Sequence, residues 1–392
     1  MIPIVLTARG LRAFADGFVA VLLPAYLLAL GHDQFEVGVL GTAALLGSAL
    51  ATLAVGRWGN RFSLRRMLLA AATLMVATGL GFANVSNLWP LLLVAFLGPL
   101  NPSGGDVSVF LPLEQTFLAG STNPDSRTSI FARYSFIGSI SGALGALAAA
   151  LPDWMTGAGW QMTDALRIMF ILYAVIGLVV WALYLRIPHP PAGEIKPQSS
   201  LGASRSIVFR LAALFSIDSF AGGLVINALL ALWLFERFGM SLTAAGAFFF
   251  WTGLFSAVSQ LAAVPLARRI GLVNTMVFTH IPASLCLIGA AFASSLEVVL
   301  GMLLARSLLS QMDVPARTAY VMSVVTPAER PAAASFTAVP RSLASAAGPM
   351  IAGAMFAAGS MTAPLVVCGV LKISYDLALF AAFRRVAPRA SD

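Results

Sequence analysis

The chain reads as an all-α membrane protein, with twelve transmembrane helices in two six-helix bundles related by pseudo-two-fold symmetry. Three observations carry that reading. Hydrophobic residues fill 59% of the 392 positions and charged residues only 10%, against about 25% charged in ordinary soluble domains. At about 20 residues per span plus a short loop, the length holds about a dozen membrane helices and leaves almost nothing for a soluble domain. The third observation is a repeat that extends across half the chain. Composition alone excludes a soluble enzyme.

Apolar runs bounded by polar punctuation place helices at 10–30, 36–55, 66–84, 89–118, 127–151, 165–186, 207–235, 242–266, 274–294, 297–322, 332–357 and 361–385. His32, Asp33 and Glu36 separate the first two, and Arg57, Arg61, Arg65 and Arg66 the next two. The fourth is interrupted by Asn101-Pro102-Ser103-Gly104-Gly105. A broken helix exposes backbone groups that a membrane tolerates only beside protein or a cavity, which makes Asn101 and Ser103 candidate substrate ligands. On the fifth, Gly138, Gly142 and Gly145 have the spacing of close helix packing, as do Ser345, Gly348, Ala352 and Gly353 on the eleventh. Pro188 to Ser206, with four prolines and a Ser/Gly cluster, is an extended linker. The expected division is an N-terminal bundle 1–186, a cytoplasmic linker 187–206 and a C-terminal bundle 207–392.

Loop charges orient the chain. The formal charge of +8 reflects arginines in the 57–66, 186–210 and 268–269 stretches, Arg330, and the tail Arg384, Arg385 and Arg389, all on one side. By the positive-inside rule that side is the cytoplasm, and both termini lie there. The opposite loops hold Asp153, Asp164, Glu236 and Glu297. The expected location is a plasma membrane, a bacterial inner membrane in the first instance. The positive charge is read as membrane anchoring, with lipid as the partner and no nucleic acid. Cys286 and Cys368 sit inside apolar runs, and His32, His189 and His280 share no metal-ligand spacing. Without a Walker-type phosphate loop, ATP-driven transport is disfavoured. No cofactor, no metal and no enzymatic activity are expected, and the chain is expected to act as a monomer.

The repeat fixes the symmetry. Asp16, in Ala13-Phe14-Ala15-Asp16-Gly17-Phe18, aligns with Asp218 in Phe215-Ser216-Ile217-Asp218-Ser219-Phe220, 202 positions later. Asn123-Pro124-Asp125-Ser126-Arg127 aligns with Thr326-Pro327-Ala328-Glu329-Arg330 at an offset of 203, which also pairs Pro112 with Pro315 and Gly145 with Gly348. A near-constant offset implies two copies of one six-helix unit. This is the parallel-repeat pattern of transporters that bind substrate between their halves.

Between the second and third helices, Gly56-Arg57-Trp58-Gly59-Asn60-Arg61-Phe62-Ser63-Leu64-Arg65-Arg66 resembles the signature loop of the major facilitator superfamily, G-x-L-A-D-R-x-G-R-[RK]. Its echo in the second half is Leu266-Ala267-Arg268-Arg269-Ile270-Gly271. The resemblance covers the whole chain and implies alternating access of two bundles around a midplane site. Asn60 replaces the loop acid and Ser63 the second glycine, so the loop's charge network must be rebuilt. The chain also resembles the drug/proton antiporter branch, with departures. Arg306 with Ser310 and Gln311, and the Gly348-Pro349 segment, echo that branch's motifs in the second half rather than the first.

Ionisable residues within hydrocarbon are functional candidates because their burial is costly. Asp16 and Asp218 lead as carriers of a coupled proton, followed by Asp106 and Asp313. Arg306 and Arg341 each lie about 14 Å from a helix end at 1.5 Å per residue, near the midplane, and suit a carboxylate or phosphate. With Asn227 and Gln260 they complete the candidate substrate ligands. Lys372 and Asp376, spaced i, i+4, are expected to neutralise each other on a peripheral last helix. The repeat sets Glu114 against Arg317, an expected gate that pairs in one state only. Gly56, Arg57, Asn60, Arg61, Arg65, Arg268, Arg269, Asp125, Arg127, Glu329 and Arg330 are its expected surroundings. The expected function is proton-coupled efflux of a small organic solute. The alternatives are a proton-coupled symporter importing an organic anion, and a receptor or scaffold without turnover.

Overall fold

The computed structural model describes residues 1–58, 61–104, 108–122, 124–187, 201–202, 204–326 and 329–384, with the side chains of 58, 119, 124–128 and 331 left aside. Among these residues every regular element is an α-helix: α1 (Ile2–Ala29), α2 (Gln34–Trp58), α3 (Leu64–Asn84), α4 (Leu88–Leu97), α5 (Phe110–Gly120), α6 (Pro124–Ala148), α7 (Leu151–Gly157), α8 (Met162–Leu185), α9 (Arg205–Gly223), α10 (Asn227–Phe238), α11 (Leu242–Ile270), α12 (Leu272–Phe292), α13 (Leu296–Ser310), α14 (Asp313–Val324), α15 (Arg330–Ala357) and α16 (Ala363–Phe383). Among the described residues ten stretches are long and apolar enough to cross a membrane, counting α6–α7, α9–α10 and α13–α14 as single passages. The two remaining expected spans are the fourth, divided into α4 and α5, and α15, whose sequence is rich in Ala, Ser and Gly.

Local chemistry explains the ends. Ser63 caps α3 by accepting the Arg66 N–H, so the serine in the signature loop starts a helix. Gly239 closes α10 in the left-handed conformation, at φ 59°. The break between α4 and α5 is the expected one. Two others, at 224–226 and 311–312, divide helices that the sequence reads as continuous. At the first, Gly222 and Gly223 weaken the end of α9, and the N–H groups of Leu224 and Val225 fold back onto the carbonyls of Ala221 and Gly222, respectively.

The chain divides into two compact units. The first comprises 1–195, 226–250 and 349–357. In it α1 packs on α6 with backbones touching: a Cβ on Gly17 would lie 2.1 Å from the Gly142 carbonyl oxygen, and one on Gly145 2.0 Å from that of Phe14. The glycine spacing on the fifth helix serves packing, as expected. Segments that the repeat assigns to the second half also belong to this unit. Thr243 donates its N–H and hydroxyl to Asp153, at 2.8 and 2.7 Å. The Met350 N–H bonds Thr42, and a Cβ on Gly38 would meet the Pro349 carbonyl oxygen at 2.4 Å. The start of α10 also meets the break between α4 and α5, with the Ala228 N–H donating to the Pro102 carbonyl at 3.1 Å.

The second unit comprises 196–225, 251–348 and 358–392. Its core includes Val208, Leu211, Phe215, Met276, Tyr320, Tyr375 and Leu379. Here α12 packs on α16, α13 and α14, and α9 on α16. A Cβ on Gly348 would lie 2.3 Å from the Gly223 backbone, the second close glycine crossing.

Candidate functional site

Each unit encloses one buried charged cluster. In the first, α1, α5, α6 and α8 bring Arg12, Glu114, Tyr134 and Tyr184 together. Glu114 is fully buried. It accepts the Arg12 guanidinium and the hydroxyls of Tyr134, at 2.6 Å, and Tyr184, at 2.5 Å. The Arg12 guanidinium also lies over the Phe110 ring, 4.0 Å from its centre, which adds a cation–π contact. A carboxylate with one cation and two hydroxyl donors is neutralised and hydrogen-bonded, the condition for keeping such a charge out of water. Asp16 follows one turn later, half-buried, and its charge acts on Arg12.

The second unit inverts that arrangement. Where α1 contributes an arginine and α5 an acid, α9 contributes Asp218 and α14 contributes Arg317, 3.0 Å apart. Lys372 on α16 also donates to Asp218, at 2.6 Å. Arg317 holds Asp313 as well, at 3.4 Å. His280 on α12 places Nδ1 3.1 Å from both Asp376 oxygens and Nε2 3.4 Å from the Lys372 ammonium. Asp218, Asp313, Arg317, Lys372, His280 and Asp376 are all buried.

This corrects the expectation for the last helix. Lys372 and Asp376 form no direct ion pair: Lys372 turns to Asp218 and Asp376 to His280, and the Lys372 charge acts on Asp376 only at longer range. Both face the core of the second unit, because α16 packs on α9 and α12 there. Asp16 and Asp218, equivalent by the repeat, have different surroundings. Glu114 and Arg317 each find their ion-pair partners inside their own unit.

The other candidates are spread out. Arg306 on α13 is half-buried and makes no ion pair among the described residues. Arg341 on α15 donates Nε to the Ser219 hydroxyl at 3.1 Å, next to Asp218 in the chain, and likewise has no carboxylate partner among the described residues. Asn101 is buried in the α4–α5 break, its Oδ1 accepting the N–H and hydroxyl of Ser103 at 3.1 and 2.6 Å. Asn227 begins α10, close to Gly104, and Gln260 is half-buried on α11. Gly56, Arg57, Arg61, Arg268 and Arg269 are exposed. Arg65 donates to the Leu185 carbonyl at 2.7 Å, a backbone acceptor where the signature loop's acid is missing. Arg330 donates to the Met322 carbonyl at 3.3 Å. Glu329 accepts the Ser204 and Thr326 hydroxyls and the N–H groups of Gly202 and Ser204, which hold its carboxyl down at about 2. Asn60 and Asp106 lie outside the described residues, as do the side chains of Asp125 and Arg127.

Sequence reasoning missed Arg12, Tyr134, Tyr184 and His280. Their partners lie 102, 20, 70 and 96 residues away. Arg12 was legible as an arginine within the first apolar run, and His280 as the only histidine within one.

The sequence model of the Major Facilitator Superfamily matches residues 5–305 and 211–392. An uncharacterized membrane protein of Saccharomyces cerevisiae, YJR124C, is 22% identical over 410 residues, covering 95% of this chain and 92% of that one. Among solved structures, a D-xylose-proton symporter superposes with a TM-score of 0.78 at 16% identity, covering 97% of each chain. The human organic anion transporter MFSD10 (TETRAN) superposes at 0.65 with 20% identity, over 96% of this chain and 99% of that one. The fold agrees with the twelve-helix architecture expected from the sequence.

Proposed function

Because this chain belongs to the Major Facilitator Superfamily, we propose that it is a proton-coupled secondary transporter exporting a small organic solute by alternating access. The observation that carries the reading is the cluster of six ionisable side chains from α9, α12, α14 and α16. Replacing a buried ion pair by well-packed apolar residues is often neutral or stabilising. A helix bundle that only had to hold together would gain nothing from this cluster. A transporter gains charges whose pairing differs between states.

The six-plus-six division 1–186 and 207–392, with a linker at 187–206, belongs to this reading, as do a bacterial inner membrane, cytoplasmic termini and a monomer. The contacts among Asp153, Thr243, Gly38, Pro349, Pro102 and Ala228 then form the outer barrier, which must part for the site to face outward. Glu114 and Arg317 are the gate residues of the cytoplasmic side.

Purified protein in liposomes with an internal pH dye tests the reading. A ligand found by thermal-stabilisation screening should drive proton movement opposite to its own. Stabilising ligands that never move a proton or themselves would refute transport and favour a receptor.

A second reading has its own observation. Arg306 and Arg341 lack carboxylate partners among the described residues, so an organic anion would complete their charge. In that case proton and ligand move in the same direction, and Arg341→Gln weakens the stabilisation that anions give.

A further inference from the structure

The three acids of the second cluster are not balanced alike. Asp313 has Arg317 at 3.4 Å, and Asp218 has both Arg317 and Lys372. Asp376, with no exposed surface, makes a direct ion pair with neither, and the Lys372 charge reaches it only at longer range. The side chain at bonding distance is His280, whose Nδ1 lies 3.1 Å from Oδ1 and from Oδ2. A carboxylate so deeply buried needs a compensating positive charge or a proton. The pair is therefore neutral only with one added proton, held as imidazolium beside carboxylate or as imidazole beside carboxylic acid. Both forms contain the same atoms and differ in where the proton sits between Nδ1 and the carboxylate.

The other ring nitrogen connects that proton to α9. His280 Nε2 is 3.4 Å from Lys372 Nζ and 3.8 Å from Asp218 Oδ1. With the proton bound as imidazolium, Nε2 carries a hydrogen and is a donor facing Asp218. With the proton gone to water, Nδ1 keeps its hydrogen for Asp376 and Nε2 becomes an acceptor for Lys372. Lys372 then divides its donors between His280 and Asp218. One protonation step thus alters the ion pair that joins α16 to α9.

We propose that His280 and Asp376 form the exchangeable-proton site of this protein, and that Lys372 transmits its occupancy to Asp218. Its role in coupling rests on the transport reading above; the site itself does not. The charged and titratable groups around it are Asp218 on α9, Arg306 on α13, Asp313 and Arg317 on α14, Arg341 on α15 and Lys372 and Tyr375 on α16, with Cys286 and Cys368 beside Arg306. Neither Arg306 nor Arg341 makes an ion pair with Asp376.

The proton is the probe, so no substrate is needed. The full chain, nitrogen-labelled at histidine and held in lipid nanodiscs, is titrated from about pH 5 to 9 by NMR and by infrared difference spectroscopy. With three histidines in the chain, H280Q identifies the signal. The wild type should show His280 and a buried carboxyl responding in one common step. D376N should move the His280 step and abolish the carboxyl band, K372Q should shift the step, and D16N should leave it in place. A His280 step unchanged in D376N overturns the proposal, as does a carboxyl band that survives D376N. If D376N does not fold, a carboxyl band unaltered in H280Q overturns it equally. Ligand-driven flux that stays proton-coupled in H280Q refutes this site and spares the transport reading. Intact titration without any flux does the reverse.

Discussion

Exchanging Glu114 for Gln removes one negative charge from a site with no exposed surface and three donors. Arg12 then remains buried without its counter-ion, a loss of about 3–5 kcal/mol for one broken half of a buried pair. Arg12→Met leaves Glu114 with two hydroxyl donors and no cation, and belongs in the same range. The double variant leaves no charge. The introduced amide oxygen would still accept one tyrosine hydroxyl, and the other would lose its acceptor, at about 1–2 kcal/mol. At about 2 °C per kcal/mol for a chain of this size, each single variant should melt roughly 6–10 °C below wild type and the double only about 2–4 °C below. Thermal unfolding of purified protein in one detergent, followed by intrinsic fluorescence, measures all four forms. Single losses that simply add in the double variant would show that Arg12 and Glu114 do not act as a pair.

Gly145→Val should abolish a monodisperse preparation, because its first side-chain carbon would overlap the Phe14 carbonyl, whereas Gly56→Ala, whose added carbon meets nothing within 4 Å, should leave the preparation monodisperse. Glu329 has a folded value of about 2 against an ordinary 4.5, so its contribution is present above pH 4.5 and lost as pH falls towards 2. Glu329→Gln should flatten the fall of melting temperature in that acid window. Asp153→Ala removes the acceptor for both Thr243 donors; labelling of a cysteine at Thr42, which now bonds Met350, should rise several-fold if the outer barrier loosens. For orientation, impermeant thiol reagent added outside cells should label a cysteine at exposed Ser86 and spare one at exposed Ser206; the buried Ser204 would report nothing.

The helices were legible because each apolar run had polar residues at its ends, and even the interruption at Asn101-Pro102 was visible. The breaks at 224–226 and 311–312 were not, since neither contains proline and both lie inside apolar stretches. Asp218, Arg306 and Arg341 stood out as charges in hydrocarbon, and Arg317 as the register mate of Glu114. The partners of Asp218 and Arg317 did not. The repeat offset identifies equivalent positions, and equivalence differs from contact: Glu114 matches Arg317 by register, yet each pairs with the helix that opens its own half. The i, i+4 spacing of Lys372 and Asp376 points to a local pair, and the packing of α16 against α9 and α12 overrides it. His280 reads from the sequence only as an imidazole without metal-ligand spacing, because the carboxylate beside it comes from a helix 96 residues away.

The position of Lys372 has a consequence for biosynthesis. Asp218 precedes it by 154 residues, and at about 5–20 residues per second the ribosome needs roughly 8–30 s to make that stretch. Asp376 is made later still, 96 residues after His280. The second unit therefore enters the bilayer with its acids incompletely matched, and Arg317 is the earlier counter-ion to arrive. Its ionic interior closes only when the final hairpin leaves the translocon, whereas Arg12, Glu114 and Tyr184 are complete before the first half is finished. A chain cut short before α16 would be stranded with unmatched charge in lipid, a ready mark for membrane quality-control proteases.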